Sequence, residues 1–378
     1  MKRFFVTVII FTAFICFSAL CIGADVIENK EATAYILMEP ETQTVLDEKN
    51  SNMRLNAGFL SKLMSVLLVA ERINSGELQM DEILTASDDV KNTKGAVIWL
   101  EQGDKMSVDE LLKSVIVGNA NDAMTVLAQR VSGDVQTFVM DMNARAFDLG
   151  LRNTRFVSPY GYYSTEEYSS AYDIAVICSE LYKYSFLTEY FSIWRDFVKD
   201  GKVELVNENK LSAKYSLHIG FKASHSAESG YCIAEGGRND SGNTFIAVSL
   251  GNDTEDDAYK SIKSLLKQGF SNYNVTLTMF PDEMLMPLNV MNGTESAVEI
   301  HIYEQGKAVV PRNNGDLITK VVIPGYINAP VYIGQPIGCA AFYSGDTLVY
   351  EADIVTSEAV PALDLKYVLI AMLTKLHE

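Results

Sequence analysis

Between residues 58 and 73, apolar side chains recur three and four positions apart, at Leu60, Leu63, Met64, Leu67, Leu68 and Ala70. That spacing lines one side of a helix and predicts a buried one. Upstream, Tyr35, Leu37, Thr42, Thr44 and Leu46 fall at alternate positions around Pro40, the period of a strand, and predict a β-hairpin over residues 34–46. Residues 81–104 read as a loop with short extended pieces. At Ser107 the run Ser-Val-Asp-Glu has the form of a capping box, in which side chains satisfy the free N–H groups of a first helical turn. The helix it opens carries Leu111, Leu112, Val115 and Ile116; residues 119–121 interrupt it, and a second helix carries Met124, Leu127 and Val131. Further helices are predicted over 135–149, 171–181 and 256–268, and strands over 230–235 and 244–251 around a turn rich in Asn, Asp and Gly. Strands on both sides of a helical middle predict an α+β domain over residues 25–272, an antiparallel sheet sandwiched with helices.

Beyond residue 272 the pattern shortens. Residues 275–280, 297–303, 317–323 and 348–355 read as strands separated by Gly, Pro and Asn, and predict a small all-β domain over 273–360. Past Pro361, Leu363, Val368, Leu369, Met372, Leu373 and Leu376 return to helical spacing, an amphipathic terminal helix over 361–378.

The first 24 residues change the picture. Lys2 and Arg3 precede an apolar stretch without a charge and a small-residue context at Ala24, the pattern of a cleaved export signal. Its removal leaves 29 basic against 49 acidic residues, a net charge of −20. A surface of that sign repels phosphate backbones and excludes nucleic acid as partner. Cys178, Cys232 and Cys339 remain, too few and too scattered for a disulfide framework or metal cluster, and the four histidines are scattered as well. No metal or cofactor is expected.

Five short segments, in fixed order, carry a resemblance. They are Ala57-Gly58-Phe59-Leu60-Ser61-Lys62-Leu63-Met64; Gly118-Asn119-Ala120-Asn121-Asp122-Ala123; Leu149-Gly150-Leu151-Arg152-Asn153-Thr154-Arg155-Phe156; Ser158-Pro159-Tyr160-Gly161; and Gly220-Phe221-Lys222-Ala223-Ser224-His225, closing at Gly230-Tyr231-Cys232. Together they resemble the low-molecular-mass penicillin-binding proteins that act as D-Ala-D-Ala carboxypeptidases. The resemblance implies a β-lactamase/DD-peptidase-like sandwich, followed by the all-β domain and terminal helix read above.

It also implies acyl transfer through a serine ester, with Ser-x-x-Lys at a helix start, Ser-x-Asn between two helices, and Lys-Thr-Gly on an edge strand. Lys62, Asn121 and Lys222 keep their motif positions; Phe59, Asn119, Ala223 and Ser224 depart from theirs. Phe59 stands where the nucleophile belongs, and a phenyl ring has no nucleophilic atom. Ser61 lies about 200° around a helix from that position. Ser65 lies a turn too deep, and Ser51 with Arg54 precedes the helix. Ser241-Gly242-Asn243 matches Ser-x-Asn in letters but reads as a hairpin turn.

Bland roles stand beside these. Lys62 pairs with an acid or amide, Asn121 caps a helix, Lys222 is a solvated strand residue, His225 is a loop residue, and Phe59 plugs the cleft with its buried ring. The expectation is an exported cell-envelope member of this family without its catalysis. Its partners would be peptidoglycan stem peptides or a wall-synthesis protein, with peripheral membrane contact through the terminal helix. The alternatives are an active carboxypeptidase with a misplaced nucleophile, and a hydrolase that uses Lys62 without serine.

Overall fold

The computed structural model describes residues 32–162, 164–278, 280–313 and 317–375, with side chains through residue 370. The export segment read over residues 1–24 lies outside the described residues.

An antiparallel hairpin of β1 (Ala34–Met38) and β2 (Val45–Lys49) opens the fold. A 3-10 turn over Gly58–Ser61 leads into α1 (Lys62–Asn74), so the predicted helix is present with a tighter first turn. β3 (Ile83–Thr85) and β4 (Lys105–Ser107) are the extended pieces of the next loop. Helices α2 (Val108–Ile116), α3 (Asn121–Ser132), α4 (Val135–Asp148), α5 (Ala171–Tyr182) and α6 (Ser185–Ser192) follow. The chain then forms a small hairpin of β5 (Arg195–Val198) and β6 (Val203–Val206), a turn of helix α7 (Leu211–Lys214), and three long strands. These are β7 (His218–Ser226), β8 (Gly230–Arg238) and β9 (Thr244–Asn252), and they lead to α8 (Glu255–Asn272).

One five-stranded sheet, in the order β2-β1-β9-β8-β7, is antiparallel throughout. Alternation along β1 sends Ile36 into the core shared with α1 and α5 and Leu37 into the core shared with α8. Both faces of the sheet are therefore covered, which makes the α+β sandwich. The box at Ser107 forms as read: its Oγ accepts the Glu110 N–H, and the Glu110 carboxylate accepts the Ser107 N–H. Ser107→Ala is expected to lower unfolding stability by about 1 kcal/mol, read from denaturant midpoints at constant m.

A second, separate core gathers Leu288, Val298, Ile300, Phe342 and Ile354. It is built on a four-stranded sheet (Ile300–Ile302, Thr347–Thr356, Pro336–Ser344, Leu317–Val322) and a three-stranded one (Ala297–Val298, Leu288–Met291, Tyr326–Asn328). Pro336–Ser344 escapes a propensity reading because Gly338, Cys339, Ala340 and Ala341 carry little strand preference. A Cβ at Gly338 would meet the Val322 carbonyl at 2.1 Å, so close strand contact sets that composition. The last helix, α9 (Leu365–Lys375), leaves most side chains of residues 365–370 exposed, and no described helix is long and apolar enough to cross a membrane.

Candidate active site

Two elements meet the edge strand β7: the 3-10 turn before α1 and the loop between α2 and α3. The turn is held by glycines. Gly58 has φ +54°, and a Cβ there would meet Ser224 Oγ at 2.5 Å; Gly161, at φ +77°, packs directly on the Gly58 carbonyl. Positive φ and backbone approach this close together require glycine. In a 3-10 turn residues i and i+3 eclipse, so Phe59 lies over Lys62. The Lys62 Nζ sits 4.6 Å from the centre of the Phe59 ring, a cation–π contact. Phe59 is half-buried, and its ring covers the lysine as a lid.

Lys62 is 1% exposed and donates to Asn119 Oδ1 at 3.1 Å, the amide pairing expected of it. Burial drives its pKa well below the ordinary lysine value, and the nearby Lys222 charge adds to this against Glu208 and Glu167. Asn119 holds φ +59°, a conformation Asn tolerates better than most side chains. Asn121 does not cap its helix: Ala120 occupies that position, and Asn121 Nδ2 donates to the Lys94 carbonyl at 2.7 Å and to Tyr162 Oη at 3.1 Å. The amide is drawn inward because it is completely buried and two acceptors face it. Asn119 Nδ2 and Asn121 Oδ1 are buried without a hydrogen-bond partner.

Lys222 is buried too, at 7% exposure, and is not the solvated residue its alternative reading made it. It donates to the Ile116 carbonyl at 3.4 Å, and burial lowers its pKa to about 8 against the pull of Glu208. Strand alternation separates the next two residues. Ala223 packs into the core shared with α8, away from Lys222, while Ser224 returns to the Lys222 side and its Oγ accepts the Phe59 N–H at 2.8 Å. His225 lies on the strand, not in a loop, and stacks on Tyr231 with centroids 4.0 Å apart.

The other serines point elsewhere. Ser61 is hydrogen-bonded to Glu167, and Ser65 donates to the Pro159 carbonyl at 2.9 Å. Ser51 binds the Glu48 carboxylate, and Ser241-Gly242-Asn243 closes the turn between β8 and β9. Glu167, Tyr162 and Glu208 join the site's surroundings from segments whose sequence gave no periodic or motif signal. A cleft of about 580 Å³ lies on the other side of Ser224, between Ala223, His225 and Tyr231 of the sheet and a wall that includes Trp194, Val206 and Glu208.

Residues 24–254 match the family profile described as D-alanyl-D-alanine carboxypeptidase, and residues 275–362 match that of the penicillin-binding protein 5 C-terminal domain. The chain is 30% identical over 334 residues to D-alanyl-D-alanine carboxypeptidase DacF of Bacillus subtilis, covering 87% of this chain and 85% of that one. It is 27% identical over 340 residues to D-alanyl-D-alanine carboxypeptidase DacC of Escherichia coli, covering 87% and 84%. In fold it is similar to penicillin binding protein 5 of Haemophilus influenzae, with a TM-score of 0.80 at 23% identity over 88% of this chain and 98% of that one.

Proposed function

The chain belongs to the D-alanyl-D-alanine carboxypeptidase family, and we propose that within it this protein is a non-catalytic, extracytoplasmic member that binds peptidoglycan stem peptides or a wall-synthesis partner. The observation that carries this reading is Phe59, one turn before Lys62, with its ring over the amine and its N–H held by Ser224. Acyl transfer through a serine ester needs a hydroxyl within reach of a base, and the Phe59 ring offers none. Ser61 and Ser65 are engaged away from Lys62. Peptide binding is supported by kinship with D-alanyl-D-alanine carboxypeptidases and by the retained Lys62, Asn121 and Lys222. The domain limits 25–272, 273–360 and 361–378, the export of the chain, and membrane contact through α9 complete the proposal.

The test is incubation of the folded protein with a fluorescent penicillin, followed by intact mass measurement. No adduct is expected. A gain of one penicilloyl group would overturn the reading and make one of the serines a nucleophile.

A further inference from the structure

His218 opens β7, four residues before Lys222, and its side chain is 4% exposed. Its Nε2 lies 3.0 Å from the Phe191 carbonyl, and its Nδ1 lies 2.5 Å from Glu235 Oε1 on β8. A backbone carbonyl can only accept, so Nε2 carries a hydrogen. The short Nδ1 contact then also needs a proton, on the ring or on the carboxyl. Glu235 Oε2 is already occupied by Asn209 Nδ2 at 2.7 Å. The pair is thus built to hold one proton more than a neutral imidazole beside a carboxylate.

The pair joins the sheet edge to both ends of one segment. Phe191, in the last turn of α6, stands at the segment's start, and Asn209 stands at its end. Between them lie the β5–β6 hairpin and the wall of the cleft beside Ser224, including Trp194, Val206 and Glu208. The wall is also fastened by the Lys199–Asp104 and Lys113–Asp196 ion pairs and by the buried side chains of Val198 and Leu205, contacts that do not titrate near neutrality.

We infer that His218 and Glu235 form a proton-held latch that keeps the 191–209 wall closed against the sheet edge, and that loss of the shared proton loosens this wall and opens the cleft. With the proton gone, the neutral ring keeps its one hydrogen on Nδ1 toward the charged Glu235, so the Nε2 lone pair faces the Phe191 carbonyl, and the repulsion is relieved by Phe191 moving away. The titratable groups that feel Glu235 from the other packed elements are Cys178 of α5, Tyr215 after α7 and Tyr259 of α8. Burial first, and the Glu235 charge second or later, raises the pKa of each, so they stay neutral through the range in question. Burial pushes the pKa of His218 down, but the hydrogen bond and charge of Glu235 and the Phe191 carbonyl outweigh it and leave a net rise. Burial also raises Glu235. The two shifts agree, because what is favoured is one proton within the pair. A raised histidine value gives stability that is present below the ordinary 6.5 and lost as pH rises through the folded value.

Trp194 reports on the wall once Trp99, the other tryptophan of the chain, is replaced by phenylalanine. From about pH 6 to pH 9, the acrylamide quenching constant of Trp194 is expected roughly to double in one protonation step, with the far-UV spectrum unchanged. Glu235→Gln should abolish the step and stay closed, because an amide N–H can donate to neutral His218 Nδ1 at every pH. A flat profile in the parent, or the same step in Glu235→Gln, overturns the latch. If that variant does not fold, ring ¹⁵N shifts of His218 in the parent decide: a quenching step that occurs without a change at His218 also overturns it.

Discussion

A Phe59→Ser variant is expected to remain almost unreactive toward penicillin, whereas Phe59→Ser combined with Ser224→Gly should be acylated about 10²–10³-fold faster than the single variant. The single change places a hydroxyl one turn before Lys62, in the eclipsed position the ring now holds. The backbone N–H of that residue is the natural donor to the oxyanion that forms on attack. In this protein Ser224 Oγ already takes that N–H at 2.8 Å. The donor is therefore spent on an internal acceptor, and an incoming carbonyl oxygen must displace it. Glycine at 224 removes the competing oxygen and the side-chain bulk together. The rate of penicilloyl mass gain measures the difference; equal rates for the two variants would mean that Ser224 does not limit the site. Asn119 remains in place of a hydroxyl in both variants, so neither should reach the rate of an enzyme with all three motifs intact.

Lys222→Met should stabilise the protein at pH 7 by on the order of 3 kcal/mol, a gain that falls from about pH 8 and vanishes above about pH 10.5. The native ammonium is buried among few acceptors, and burial lowers its pKa from the ordinary 10.5 to about 8. Below pH 8 the lysine is charged both folded and unfolded, and the cost of burying that charge falls in full on the folded state. Between about 8 and 10.5 the unfolded chain keeps the proton while the folded one has released it, so native stability rises with pH. Methionine has no proton to release and leaves the curve flat by comparison. Urea unfolding of both proteins at a series of pH values tests this; a constant difference would mean that the lysine is not held in a lowered state. Its retention at a cost in stability fits a binding role within the proposed function.

The sequence was most informative where neighbours in the chain decide the structure. The spacing of Leu60, Leu63, Met64 and Leu67 gave α1, and Ser107 with Glu110 gave the start of α2. The lysine of the edge strand and the phenylalanine one turn before Lys62 were also visible, because each follows from a short motif. What stayed hidden depends on partners far along the chain. The Ser224 hydroxyl meets an amide 165 positions away, and no local pattern announces that contact. Asn121 looked like a cap because Asn commonly caps helices, but Lys94 and Tyr162 claim its amide. Nothing local in the sequence pairs His218 with Glu235; the antiparallel pairing of β7 with β8 brings them together.

The strand order carries one more consequence. The first hairpin finds its second partner only in β9, with Tyr35 opposite Ser249 and Leu37 opposite Ala247. A chain synthesised from its N-terminus must therefore leave β1 half-paired until residue 252 is available. Closing so long a loop is slow, and the core on both faces of the sheet waits for it. Until then the first hairpin lacks half of its strand contacts, so the sheet and the cores on both of its faces assemble late in synthesis.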